Sequence, residues 1–266
     1  MTLRFHSTLR DERGLALVIA LLTMVVMIAI GSALMLAAAT ESKITRNFRN
    51  GTEALYAADA VVEWAVGELR GVSDWNQLLA GSARSSFVDG EPNGIRLLAD
   101  GKTIDLTRIR NDLNCRGAGA CSDAMLDAIT AERPWGTNNP RWQPFAWGHL
   151  DGLLPGGAID SPFYVVVFVA DDPSECDDNP LVDGGAVVSC PAGVTKNPGA
   201  GVLSVRAEAF GPFGAHRVIE LAVARAQKDT PIKLMPDDGA AENYGNAKGP
   251  DPGRAELRIL SWREVK

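Results

Sequence analysis

The feature that most limits what this chain can fold into is the uncharged stretch Leu15–Ala39, LALVIALLTMVVMIAIGSALMLAAA. At about 25 residues it passes the length test for a membrane-spanning helix, which needs about 20. Inside lipid every backbone N–H and C=O must find its partner within the segment, so helix is the conformation open to it. As a helix the run would extend about 38 Å at about 1.5 Å per residue. The helical pattern continues beyond it. Thr40–Arg70 holds no proline, and Ile44, Phe48, Leu55, Val62, Ala65, Val66 and Leu69 recur at three- and four-residue steps opposite a charged face. Gly51 is a soft spot costing about 1 kcal/mol against alanine and a candidate bend, and Gly71 is a good stop. One helix from Leu15 to Arg70, roughly 80 Å long by the same rise, is the expectation. Its first half would sit in lipid or in a helical bundle, and its second half would lay an apolar stripe on a globular domain. A plain tether needs no such rod. A subunit that packs its N-terminal half beside copies of itself does, and Ala16, Ala20, Ala29, Gly31, Ser32, Ala33 and Ala37–Ala39 permit close helix–helix approach.

Charge and chemistry exclude several classes of function. The formal net charge is −7 and no lysine- or arginine-rich block occurs. Nucleic acid and anionic lipid both want a basic face, so neither is expected as the main partner of the soluble part. The three histidines, His6, His149 and His216, are far apart. No phosphate-cradling glycine loop with its lysine, no Gly-x-Ser-x-Gly and no His-Glu-x-x-His is present. The expectation is a protein that is not an enzyme.

The leader Met1–Gly14 carries Arg4, Arg10 and Arg13 with Asp11 and Glu12. It is open to three readings: a secretory signal, a signal anchor, or a leader cut on the cytoplasmic side just before the apolar run. The first fits worst, because the run is longer than a signal's apolar region. Lys43, Arg46 and Arg49 follow the span closely, so the count of flanking positive charges leaves orientation nearly tied. The cysteines break the tie. Cys115 and Cys121 form one close pair and Cys176 and Cys190 another, which reads as two small disulfide loops in an oxidising compartment. A four-cysteine zinc site and free buried cysteines are the alternatives, the first without any Cys-x-x-Cys spacing to favour it.

Arg13-Gly14, the uncharged run, Thr40-Glu41 and then NFRNGTEALYAADAVVEWAV resemble the N-terminal region of the PilX-type minor pilins of type IV pili. The likeness covers Arg13–Arg70 firmly. It implies that a prepilin peptidase cuts after Gly14 and that Leu15 becomes the N-methylated first residue of the mature chain. One departure carries information. Most pilins have glutamate at the fifth mature position, where this chain has Ile19. A carboxylate in lipid is costly and is kept for a function. Its absence fits a subunit with nothing above it, at a filament tip.

The remainder of the chain reads less evenly. Residues 72–162 are irregular, with turn signals at Asp74-Trp75, Glu91-Pro92-Asn93-Gly94 and Asp100-Gly101. Ile104–Asn114 suits a strand or a short helix, and Ser122–Ala131 a helix capped by Ser122 and ended by Pro134. Trp135, Trp142 and Trp147 cluster with prolines and read as aromatic plugs of a loop-rich lobe, or else as a carbohydrate or partner platform. Phe163–Ala170 is the best strand, a continuous apolar run suited to a central position. Behind it Asp171, Asp172, Glu175, Asp177 and Asp178 make either a solvated acidic loop or a Ca²⁺ site. Val202–Phe210 and His216–Arg225 alternate as two strands of a hairpin around Gly211-Pro212-Phe213-Gly214. Gln227–Arg254 reads as a long surface excursion, and Glu256–Val265 as a final strand. The hairpin and the ending Ser-Trp-Arg-Glu resemble the PilX-type C-terminus loosely.

The fold class expected is α+β and type IV pilin-like: a long N-terminal helix, transmembrane in its first half, packed on a small antiparallel β-sheet. The parts are a leader at 1–14, a transmembrane or filament-core half at 15–40, an amphipathic half at 41–71, an irregular region at 72–162 and a sheet domain at 163–266. The resemblance implies a minor pilin that primes or caps a filament and presents a PilY-type tip adhesin. Its partners would be other minor pilins, the major pilin, the prepilin peptidase and an inner-membrane assembly platform. It would sit in the inner membrane with a periplasmic C-terminal domain, then in the pilus at the cell surface. The alternatives are a type II secretion tip pseudopilin and a membrane-anchored periplasmic binding module that takes calcium.

Overall fold

The structure is a computed structural model that describes residues 13–117, 119–129, 136–154, 156–157, 160–173, 179–183, 201–225 and 257–265. The chain divides into two compact units, Met1–Arg49 and Asn50–Lys266. One helix, α1 (Arg13–Leu69), supplies the described part of the first and continues into the second. With no proline to interrupt it, α1 runs through Gly51 without a break in helix.

In the first unit every side chain from Leu15 to Arg49 faces outward. Ile44 and Phe48, which the periodicity placed on the stripe that meets the domain, are 62% and 77% exposed. Burial of α1 begins at Gly51, because periodicity identifies a face and not the length of it that something covers.

In the second unit Ala54, Ala57, Ala58, Val61, Val62, Ala65, Val66 and Leu69 are buried at three- and four-residue steps. Seven of those eight are alanine or valine, small enough to let the helix lie close on a sheet. Beyond α1 come a short α2 (Asn76–Leu79), a two-stranded ribbon of β1 (Ile95–Leu97) and β2 (Thr103–Asp105), then α3 (Leu106–Cys115) and α4 (Asp123–Asp127). The segment Ile104–Asn114 is thus both things the sequence allowed, a strand end followed at once by a helix. Asp105 sits at the junction, and its carboxylate accepts from the N–H groups of Thr107 and Arg108 to cap α3. Ser122 caps α4, which ends at Asp127, well short of Pro134.

The main sheet is a five-stranded antiparallel meander in sequential order: β3 (Gln143–His149), β4 (Tyr164–Asp171), β5 (Val202–Phe210), β6 (His216–Arg225) and β7 (Leu257–Val265). Strand alternation sorts its side chains onto two faces. Val165, Val167 and Val169 of β4, with Leu203, Val205, Ala207 and Ala209 of β5 and Ile219, Leu221 and Val223 of β6, share one core with α1. Tyr164, Val166 and Phe168 point to the other side and pack with Trp147, Leu98 and Leu106. Strand β4 is therefore covered on both faces, which explains its unbroken apolar sequence.

Strand β3 lies where the sequence suggested a loop-rich lobe. Trp147 is a fully buried strand residue and Trp142 packs half-buried beside it, while Trp135 lies outside the described residues. Pro144 and Gly148 hid the strand. The ladder to β4 shifts register between Pro144 and Ala146, which accommodates the missing N–H. A Cβ on Gly148 would come within 2.9 Å of the Phe87 ring, so glycine there serves packing. The free side of β3 is covered by the preceding segment: Ser85 N–H donates to Phe145 O and Asp89 N–H to Trp147 O, at 2.9 and 2.8 Å. The excursion Gln227–Arg254 lies outside the described residues.

Candidate functional site

The apolar half of α1 is the first candidate. By length and composition it can cross a membrane, with a mean hydropathy of 2.7 over its best window and none of that window buried in the protein. Three hydroxyls fall within or at the end of the run, and each is satisfied inside the helix. Thr23 Oγ1 donates to Ala20 O at 2.8 Å, Ser32 Oγ to Ile28 O at 2.7 Å and Thr40 Oγ1 to Leu36 O at 2.9 Å. A surface with no unmet polar side chain costs nothing in hydrogen bonds when it enters lipid or a helix bundle. Gly31 has open space where a Cβ would stand, so another helix can approach it closely. Gly14 and Leu15 lie in the first turn of α1, and Ile19 is an exposed aliphatic residue one turn on.

The other residues singled out from the sequence are placed as follows. Cys115 and Cys121 form a disulfide across a Cα–Cα distance of 5.8 Å. Cys176 and Cys190 lie outside the described residues. Asp171 ends β4 as a buried side chain and Asp172 follows it half-buried. Glu175, Asp177 and Asp178 lie outside the described residues, and among the described residues no group of three or more metal-type side chains converges.

Strand pairing brings together charged residues that the sequence left scattered. On the sheet face away from α1, Arg206 Nε donates to Glu208 Oε1 at 2.7 Å, and its Nη1 bonds Glu220. Arg263 on β7 also bonds Glu220, and His216 Nε2 meets Glu208 Oε2 at 2.9 Å. The result is an alternating ladder, His216–Glu208–Arg206–Glu220–Arg263, across three strands. Burial by itself would raise the Glu208 pKa, but the His216 bond and the Arg206 charge outweigh it and hold the carboxyl below its ordinary value. Behind β4, Tyr164 is pushed well above the ordinary phenol value by burial and by the neighbouring Asp89 carboxylate. In the sequence Arg206, Glu208 and Glu220 marked only the polar side of alternating strands; the ladder depends on register, with Arg206 opposite Glu220 and Glu220 opposite Arg263.

Two arginines fix β6 along the buried half of α1. Arg217 Nε donates to Gly51 O at 3.3 Å and pairs with Glu264 at 3.4 Å. At the far end Arg225 donates to Val72 O at 2.7 Å and Ser73 O at 2.9 Å, with its guanidinium 4.1 Å from the centre of the Trp75 ring. A Cβ on Gly51 would lie 2.9 Å from Arg217 Nη2, so the glycine makes room for that guanidinium.

A helix with an apolar first half and a second half cored into an antiparallel sheet has the α+β layout of a type IV pilin-like protein. Residues 13–63 match the family model described as PilX N-terminal. The match supports a PilX-type pilin and, at the coarse level, a type IV pilus-related minor pilin with a structural task among other pilus components. It covers α1 as far as Glu63 and none of the sheet. No curated protein and no solved structure matches the chain.

Proposed function

We propose that this protein is a minor pilin that primes or caps a type IV pilus. A prepilin peptidase removes the leader after Gly14, and Leu15 becomes the first residue. The apolar half of α1 holds the protein in the inner membrane, with the sheet domain on the periplasmic side, until the assembly machinery draws it into the helical bundle of the filament. Other minor pilins and the major pilin are its neighbours there, and a PilY-type adhesin is the cargo it presents at the tip.

The observation that carries this reading is Ile19 in an otherwise PilX-like helix. Most pilins keep a carboxylate at this position, which in major pilins pairs with the N-terminal amine of a neighbouring subunit. A subunit at the tip has no such neighbour, and an aliphatic side chain costs nothing in lipid. The same residue favours a second reading, the tip pseudopilin of a type II secretion system. Two experiments test these. Mass spectrometry of the membrane-extracted protein should find a chain beginning at methylated Leu15; an intact Met1 would overturn both readings. Deletion should abolish surface pili while leaving enzyme export intact, and the reverse result would transfer the protein to the secretion system.

A further inference from the structure

A cleft of about 420 Å³ opens beside the disulfide, between α3, the loop Gly119–Cys121, α4 and the start of β3. Its floor is one face of α3, where Thr107, Arg110, Asn111 and Asn114 follow helical spacing. The walls are tied down. Arg116, left-handed at φ 51°, turns the chain out of α3, and the Cys115–Cys121 bond brings it back. Asn111 Nδ2 donates to Gly119 O at 2.8 Å and holds the loop. Asn114 accepts from Trp142 N–H at 2.7 Å and donates to Trp142 O at 3.0 Å, which holds the start of β3. Arg141 pairs with Asp127 and anchors the end of α4. A cleft built this way is preformed rather than closed by a ligand.

Part of its polar capacity is unspent. Among the described residues Arg110, Asn111 Oδ1 and the Gln143 carboxamide have no hydrogen-bond or ion-pair partner, although Asn111 is only 7% exposed. Among the described residues no aspartate or glutamate lines the cleft. Asp112, the nearest carboxylate in sequence, pairs with Arg108 at 3.9 Å. The geometry points to a binding site for a monosaccharide that carries a carboxylate, a hexuronate. A guanidinium without a carboxylate of its own takes one from a ligand, two N–H groups to two oxygens. The Gln143 carboxamide can both donate and accept and Asn111 Oδ1 can accept, which suits ring hydroxyls. An amino acid would leave its ammonium without an anion. A phosphate dianion would find one cation and no nest of backbone N–H groups. This site is separate from the assembly role of α1 and stands or falls on its own.

The test is calorimetric titration of the full chain in detergent with D-glucuronate, D-glucose and acetate. Glucuronate should bind in the millimolar range, with glucose and acetate each at least about tenfold weaker. Arg110→Gln should weaken glucuronate about tenfold or more with melting temperature unchanged, and Arg108→Gln should leave binding as it was. Equal binding of glucose would overturn the carboxylate assignment, and equal binding of acetate the sugar assignment. Undiminished binding by Arg110→Gln, or no glucuronate binding at all, would overturn the site.

Discussion

Gly211→Ala tests how closely the β5–β6 turn is fitted to the core. Gly211 is extended, with φ −134° and ψ −177°, so its backbone accepts any residue. Its N–H donates to Ala215 O at 2.8 Å and closes the turn. What forbids a side chain is Phe163. An added Cβ would stand 2.1 Å from Phe163 Cε1, 2.5 Å from Cδ1 and 3.0 Å from Cζ, against the edge of a ring that belongs to the core shared with α1. Two relaxations are open. The ring can swing toward solvent and forfeit about 1.5–3 kcal/mol of burial, or the turn can shift and overpack at about 1–3 kcal/mol. Removing a glycine from the unfolded chain returns about 0.4–1 kcal/mol. The net loss is about 1–2 kcal/mol, which for a domain of this size lowers Tm by about 2–8 °C. The matched control is Gly67→Ala on α1, where a Cβ meets nothing within 4 Å. That change should raise stability by about 0.5–1 kcal/mol. Thermal unfolding followed by circular dichroism reads both. If Gly211→Ala melts at or above the parent, the close approach to Phe163 is not what keeps this position a glycine.

The remaining predictions use the same assay. Glu208 has a folded pKa below its ordinary value of 4.5, so the folded state holds fewer protons; its contribution is complete above that value and drains away as pH falls through the folded one. Glu208→Gln should therefore flatten the acid side of a plot of Tm against pH, and an unchanged acid limb would count against the ladder. Replacing Cys115 and Cys121 together by alanine opens a link between residues 6 apart and should cost about 2 kcal/mol in the chain-entropy account; no change in Tm would mean the loop is held without it. Arg225→Ala removes the donors to Val72 and Ser73 and the stack on Trp75, and should cost about 2 kcal/mol. A loss smaller than that of Arg217→Ala, whose hydrogen bond to Gly51 is longer, would contradict the geometry.

What could be read from the sequence was what is local. The long helix needed only an uninterrupted run, and Val202–Phe210 and His216–Arg225 emerged residue for residue because alternation and a Gly-Pro turn bound them on both sides. Strand β3 was hidden because Pro144 and Gly148 carry the local signals of a loop, and only the Phe87 ring and the bulge explain them. Exposure of Ile44 and Phe48 was equally out of reach, since where a sheet stops covering a helix is decided by residues far along the chain. The charge ladder and the cleft depend on register and on the Asn111 and Asn114 anchors, which no spacing announces. Asn111 and Asn114 looked like ordinary polar positions on a short helix, yet both are more than nine-tenths buried.

The two arginine contacts at the ends of β6 bear on how the protein answers tension. Under the proposed assembly role, a pull along the helix passes into whatever grips it. Here the grip is spread over Gly51 at one end and Val72 and Ser73 at the other, with the strand lying between. Load along the helix therefore arrives as sliding, which strains both contacts at once, rather than as unzipping, which would break them one after the other.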